Sequence, residues 1–145
     1  MSGFLLDTNV ISELVRPRPE RRVIEWMEAA DEGLLYLSVL TLGEIRKGAA
    51  LLARDKAQGK RRARLETWLE VELRARFSNR LLSVDTAVAD RWGVLAAEAK
   101  YRGRSLPVID GLLAATAMQH NLTVVSRNAA DFGDAPVQAL NPWEA

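Results

Sequence analysis

The sequence predicts an α/β fold, with a central and mostly parallel sheet of four or five strands flanked by helices. Short apolar runs that suit buried strands alternate with longer stretches of helical periodicity. This alternation is typical of a parallel sheet with helices on both faces. No internal repeat, low-complexity tract or domain boundary interrupts it, so residues 1–145 are expected to form a single domain.

The predicted elements follow from apolar spacing and from residues that start or stop helices. Strands are expected at 4–6, 34–37, 81–84 and 123–125, with a last edge strand at 137–140. Helices are expected at 10–15, 23–31, 41–52, 60–77, 85–103 and 108–119, with a helical turn at 129–132. Thr8 or Asn9 is the expected cap of the first helix, Gly103 ends the fifth and Pro107 suits the first turn of the sixth.

Composition excludes several classes of protein. The chain is 48% hydrophobic and 27% charged, which is ordinary for a soluble globular domain. It has no cysteine, so disulfides and thiolate metal sites are excluded, and a cytoplasmic location is compatible with this. No secretory signal and no membrane span are expected. Because the net charge is only +1, any affinity for nucleic acid must come from local clustering of basic residues.

Three carboxylates stand alone in apolar surroundings. Asp7 follows the first strand, Glu44 lies early in the third helix and Asp110 lies early in the sixth. Buried carboxylates without partners are costly. Two arrangements would relieve that cost: each acid is satisfied separately as a helix cap or by backbone donors, or the three converge and share a cation.

The predicted positions favour convergence. Asp7 ends a strand, and in an α/β unit a helix begins where the preceding strand ends, which places Glu44 and Asp110 at the same edge. Ligands of open α/β sheets bind at this carboxyl edge. Carboxylates without His or Cys favour a hard cation, Mg²⁺ or Mn²⁺. The chemistry best suited to such a site is attack of a metal-activated water on a phosphodiester.

Five motifs of this sequence match those of a known family. The first lies at 5–13, with the residues Leu-Leu-Asp-Thr-Asn-Val-Ile-Ser-Glu, and the others lie at 36–48, 110–117, 126–132 and 141–143, so they span almost the whole chain in the expected order. In these motifs the chain resembles PIN-domain proteins of the VapC toxin type, especially the FitB-like branch. The resemblance implies the PIN-like three-layer fold.

The resemblance also implies a function. A protein of this type is expected to be a Mg²⁺-dependent endoribonuclease, the toxin of a type II pair, acting on tRNA or another structured RNA. The expected partners are a VapB- or FitA-like antitoxin and a second copy of the chain, with operator DNA bound only through the antitoxin. The alternative is a subunit of a DNA-bound complex that acts chiefly in promoter autoregulation and has little nuclease activity.

The family's acidic positions map onto this sequence with one departure. Asp7, Glu44 and Asp110 match the three acids expected to hold the metal. Asn128 stands where some relatives carry a fourth acid. Asp131 is therefore the preferred fourth catalytic acid, acting from outside the metal's immediate ligands. The alternative is that Asp131 is only a surface helix cap. The polar residues expected to support these acids are Thr8, Ser38, Ser126 and Asn128, and for Thr8 and Ser38 ordinary helix capping is an equal alternative.

Basic residues cluster from Arg46 to Arg64, opposed by a single acid, Asp55. The cluster fits either contacts to RNA phosphates or a solvated helical face. Arg46 is the best individual candidate for a contact with RNA or antitoxin because it lies two residues after Glu44. Asp85 is expected to cap a helix, and His120 to lie at a helix end. The four tryptophans are expected to pack in the core, with dimer or antitoxin contacts as the alternative for some.

Overall fold

The computed structural model describes residues 2–132 and 135–145. Within them a five-stranded parallel sheet is formed by Phe4–Leu6 (β1), Leu35–Ser38 (β2), Leu81–Leu82 (β3), Thr123–Val125 (β4) and Ala139–Leu140 (β5). The strand order is β3-β2-β1-β4-β5. Phe4 pairs with Leu35 on one side and Thr123 on the other. The prediction of an α/β fold with a flanked central sheet is confirmed, and all four strand pairings are parallel.

The helices lie at Thr8–Glu13 (α1), Arg21–Ala29 (α2), Val39–Leu52 (α3), Gly59–Thr67 (α4), Arg74–Arg76 (α5), Thr86–Tyr101 (α6) and Val108–His120 (α7). A π-helical stretch, Trp68–Leu73, joins α4 to α5. Single 3₁₀ turns occupy Glu32–Leu34, Lys56–Gln58 and Ala129–Phe132. No helix in the described parts of the chain combines the length and apolar character needed to cross a bilayer.

Two apolar cores, one on each side of the sheet, produce the three layers. Side chains of a strand alternate between faces, and β1 follows this rule: Leu6 belongs to the core beneath α1 and α2, and Leu5 to the core beneath α6 and α7. Both leucines are fully buried. The central strand is therefore covered on both faces, as its apolar run predicts.

Several predicted boundaries were wrong by a few residues, each for a local reason. The third strand stops at Leu82 rather than at 84, because Asp85 already turns the chain by accepting a hydrogen bond from the Val88 N–H at 2.9 Å. The last strand begins at Ala139 rather than at 137, because the Val137 N–H bonds to the Ala135 carbonyl in a tight turn. Asp85 is thus the predicted cap of α6.

Two predicted helix starts also need correction. Asp7, not Thr8 or Asn9, caps α1, since its Oδ1 accepts the Thr8 N–H at 2.8 Å. Pro107 stands one position before α7 instead of in its first turn, and its carbonyl accepts the Gly111 N–H at 2.9 Å. Gly103 does follow α6, with a φ of 71° that favours glycine.

Glu13 is a buried carboxylate with a structural task. It is only 5% exposed. Its Oε2 accepts the Glu20 N–H at 2.8 Å, at the start of α2, and its Oε1 lies 3.3 Å from the Arg16 guanidinium. The side chain therefore caps α2 from α1 and fixes the turn between the two helices.

Glu13→Ala is expected to lower the free energy of unfolding by about 1–3 kcal/mol, because it leaves the Glu20 N–H without its acceptor. Urea denaturation measures this. Glu25→Ala is the matched control, since Glu25 is exposed in α2 and forms only a surface ion pair with Arg21. That control should change stability by less than about 0.5 kcal/mol. Equal losses for both variants would refute the capping role of Glu13.

Candidate active site

Asp7 lies where β1 ends and is 8% exposed. Its backbone N–H extends the sheet by bonding to the Val125 carbonyl at 2.9 Å. Its Oδ1 caps α1, while its Oδ2 accepts the Ser126 hydroxyl at 2.7 Å. Capping and membership of a polar cluster were alternatives in the sequence, but one carboxylate does both, each oxygen having its own donor.

Ser126 connects Asp7 to the loop after β4. Its oxygen accepts the Asn128 N–H at 3.0 Å and lies 3.3 Å from the Asn9 amide nitrogen. The amide oxygen of Asn9 in turn accepts the Arg127 N–H at 3.2 Å. The loop is therefore held against Asp7 by a closed network in which Ser126 is fully buried.

Glu44 lies on α3 and faces the start of α1. Its Oε1 accepts the Thr8 hydroxyl at 2.5 Å, and the Thr8 oxygen is also 3.2 Å from the hydroxyl of Thr41, one turn earlier on α3. Thr8 directly follows Asp7. It therefore ties the end of the central strand to the helix that carries Glu44.

Asp110 lies in the first turn of α7 and is half-buried. Burial raises the pKa of its carboxyl, and the negative charges of Asp7, Asp131 and Glu44 raise it further, in that order. Charges act on a pKa in this way only over short distances. The shift therefore places all four predicted acids in one electrostatic neighbourhood.

The donor set fits a hard divalent cation, although the carboxylates do not yet surround one point. Within residues 2–132 and 135–145, no three His, Cys, Asp or Glu side chains are close enough together to hold a metal ion as they stand. The nearby donors are carboxylate oxygens, which Mg²⁺ and Mn²⁺ prefer. A cation among Asp7, Glu44 and Asp110 would offset the repulsion that raises the pKa of Asp110.

The chain matches the PIN domain family over residues 4–136. It is a PIN-domain protein. It is 41% identical to the toxin FitB of Neisseria gonorrhoeae over 140 residues, which cover 97% of this chain and 98% of that protein. It is 38% identical to the VapC ribonuclease Y4jK of Sinorhizobium fredii, with 97% of this chain and 98% of that protein covered.

A solved structure of FitAB bound to an IR36 DNA fragment contains a chain with the same fold. The TM-score is 0.87 at 38% identity, and the alignment covers 97% of this chain and 95% of that one. The predicted resemblance to the VapC type and its FitB-like branch is therefore confirmed.

The other predicted site residues of this PIN domain differ in exposure and in the bonds that they form. Asp131 is exposed in its 3₁₀ turn but close enough to raise the pKa of Asp110. Asn128 is exposed, and its backbone N–H donates to the Ser126 hydroxyl oxygen. Ser38 is fully buried and caps α3, since its Oγ accepts the Leu40 N–H at 3.0 Å. This is the capping role that the sequence had offered as the alternative.

Arg46 lies near Glu44 in sequence, but its guanidinium turns away to the π-helical stretch. Its Nη2 is 2.6 Å from Glu70 Oε1, and both side chains are about half exposed. Much of the predicted basic cluster lies on exposed positions of α4 and the turn before it. Within that cluster Arg62 pairs with Glu66 at 2.6 Å.

Sequence reasoning missed the part played by Asn9 and by the end of the chain. Asn9 was considered only as a cap, yet it bridges to Ser126 and Arg127. Asn141 donates its amide to the Arg127 carbonyl at 3.1 Å. The available signal was the parallel edge strand β5, which brings Asn141 to the carboxyl edge beside β4.

Proposed function

We propose that this chain is the toxin of a type II toxin–antitoxin pair and that it cuts RNA by hydrolysing phosphodiester bonds at the acidic edge of the sheet. The observation that carries the proposal is that burial and the charges of Asp7, Asp131 and Glu44 raise the pKa of Asp110, while Thr8, next to Asp7 in the chain, hydrogen-bonds to Glu44. The similarity to a VapC ribonuclease and to the toxin FitB supports the same function.

In this proposal Asp7, Glu44 and Asp110 hold Mg²⁺ or Mn²⁺, and Asp131 acts from outside the immediate ligands. The ion, when bound, lowers the pKa of water and offsets negative charge on the phosphate. The protein's own part is orientation. Ser126 fixes the oxygen of Asp7 that it contacts, and Thr8 fixes one oxygen of Glu44, so both carboxylates are held in a defined orientation.

The carboxylates also act on water and substrate. Burial and the negative charges of Asp7, Asp131 and Glu44 raise the pKa of Asp110, so a bound cation would favour its ionised form. Asp131, which is exposed, would accept a hydrogen bond from an approaching water. An RNA with a splayed single-stranded loop, such as tRNA, is the substrate class that an open edge of this kind would admit.

The partners follow from the same relatives. A FitA- or VapB-like antitoxin covers the acidic edge and brings the pair to operator DNA, and two copies of this chain associate in the complex. The FitAB structure bound to DNA favours a second function in promoter autoregulation. Growth arrest on cytoplasmic expression of the wild type, but not of Asp110→Ala, separates the nuclease from a purely regulatory subunit.

The direct test is mapping of new RNA ends after incubation of total RNA with antitoxin-free protein. Cleavage at a small set of sites in Mg²⁺, lost in EDTA and restored by added Mg²⁺ or Mn²⁺, is the expected result. Cleavage that persists in EDTA, or none in Mg²⁺ by a folded and antitoxin-free protein, would overturn the proposal.

A further inference from the structure

Arg127 occupies a fixed place beside the acidic cluster. It follows Ser126, the residue that donates to Asp7. Its N–H donates to Asn9 and its carbonyl accepts the Asn141 amide at 3.1 Å, so the backbone is held on both sides. The fold therefore fixes the backbone from which the Arg127 side chain extends.

The guanidinium of Arg127 stacks on Trp143. Its central carbon is 5.3 Å from the centre of the ring, which is a cation–π distance. Trp143 is itself anchored, because its N–H bonds to Asn141 Oδ1 at 2.9 Å and its ring packs against the core beneath α1 and α2. Stacking leaves the N–H edge of a guanidinium free to donate.

Arg127 also differs from arginines whose charge is already used. Arg46, Arg62 and Arg76 each lie within 2.7 Å of a carboxylate oxygen. Among the residues that the structure describes, Arg127 has no carboxylate partner within ion-pair distance, and its side chain is exposed. Its charge is not among those that shift the pKa of Asp110, and its link to the acids is through the chain, because the preceding residue, Ser126, donates to Asp7.

An acidic cluster repels the RNA backbone that it must approach. Cations held within the cluster oppose this repulsion at the scissile phosphate but not at its neighbours. A guanidinium at the rim presents a rigid fork of donors that matches two phosphate oxygens. Arg127 is the basic side chain that the fold holds in this place.

We propose that Arg127 binds a backbone phosphate next to the scissile one, and that Trp143 is a positioning residue that holds the guanidinium ready for it. The choice of RNA as the ligand rests on the proposed function. The contact is to the backbone, so it adds affinity for any RNA sequence and none for particular bases.

The test measures binding of a fluorescein-labelled single-stranded RNA oligonucleotide to the antitoxin-free full chain by fluorescence anisotropy, across a series of salt concentrations. Ca²⁺ replaces Mg²⁺ so that binding is read separately from cleavage. The variants are Arg127→Ala, Arg127→Lys, Trp143→Ala and Trp143→Phe. Arg74→Ala is the matched control, because Arg74 is an exposed arginine on α5, which leads to the opposite edge of the sheet.

Arg127→Ala should weaken binding by roughly three- to tenfold and lower the slope of log Kd against log salt by about 0.7, as for one lost phosphate contact. Arg127→Lys should keep the slope. Trp143→Ala should weaken binding with the slope unchanged, since the charge remains, and Trp143→Phe should restore most of the affinity. Circular dichroism and thermal melting check that each variant is folded.

The outcomes separate this inference from the proposed function. A slope for Arg127→Ala equal to that of Arg74→Ala would overturn the phosphate contact, even if the wild type cleaves RNA. An Arg127-dependent slope in a protein that never cleaves RNA would uphold the contact and overturn the nuclease. Absence of any RNA binding by the wild type would overturn both.

Discussion

Asp7→Asn should abolish Mg²⁺-dependent RNA cleavage while leaving the fold intact. The amide can still cap α1, because its oxygen replaces the Oδ1 that accepts the Thr8 N–H. Its NH₂ group would face Ser126, whose oxygen already accepts from Asn128 and Asn9, so the bond that Ser126 donates to Oδ2 is lost. The substitution therefore keeps the shape of the site and the cap of α1 and removes the charge that a divalent cation needs.

The expected loss is at least about a thousandfold in the rate of cleavage, as for removal of one essential catalytic group. It is measured on purified RNA with protein freed from antitoxin. Asp31→Asn is the matched control, since Asp31 also caps a helical turn through its Oδ1, which lies 3.0 Å from the Gly33 N–H. That turn precedes β2, so it lies at the amino ends of the strands and not at the carboxyl ends, where Asp7 lies. Full cleavage by a folded Asp7→Asn protein would exclude Asp7 from the site.

Asp110→Asn should stabilise the metal-free protein at neutral and higher pH. The first turn of a helix normally favours a carboxylate by about 0.3–1 kcal/mol. Here the pKa of Asp110 is raised, so burial and repulsion from Asp7, Asp131 and Glu44 outweigh that benefit. A raised carboxyl pKa means that the folded state binds the proton more tightly than the unfolded state, so stability falls as pH rises above the ordinary value of 3.8.

Thermal melting in EDTA measures the difference. At about pH 8 the variant should melt higher, by roughly 2–4 °C for each kcal/mol of repulsion removed. The difference in melting temperature should vanish below about pH 4, where Asp110 is protonated in both the folded and the unfolded state of the wild type. Asp90→Asn, at an exposed position of α6, is the control and should show no such pH dependence.

Divalent ions should reverse the order of the melting temperatures, so that the wild type melts above Asp110→Asn. Mg²⁺ at about a hundred times its dissociation constant would stabilise the wild type by about 2.7 kcal/mol. The variant lacks one of the proposed ligands and should gain much less. An Asp110→Asn protein that melts below the wild type in EDTA at every pH would contradict the account of four crowded acids.

The sheet, and the edge of it at which Asp7 and Glu44 lie, were predictable from local patterns. Apolar runs mark the strands, and a parallel sheet puts all their carboxyl ends at one edge, so Asp7 and Glu44 follow directly. The same rule does not place Asp110 by itself, because α6 intervenes between β3 and α7. Asp110 reaches the edge because α7 ends beside the start of β4, where the Leu122 N–H bonds to the Ala117 carbonyl at 2.8 Å.

Long-range pairings were not predictable in this way. Glu70 pairs with Arg46 from 24 residues away, through a π-helical stretch that apolar spacing does not reveal. Ser38 has a polar side chain that suits either a cap or a ligand, and only the backbone geometry assigns it to the cap. Arg127 and Trp143 meet because β5 runs parallel to β4. The sequence predicted β5 as an edge strand, but it did not predict which residues of β5 and β4 pair.

The most direct test of a shared cation among these acids is to measure Mn²⁺ binding by the antitoxin-free protein with electron paramagnetic resonance. The wild type should bind Mn²⁺, and Glu44→Gln and Asp110→Asn should each weaken binding by at least about tenfold. Glu28→Gln, exposed on α2, should bind as the wild type does. Wild-type affinity in Glu44→Gln and Asp110→Asn, or no Mn²⁺ bound by the wild type, would contradict the account.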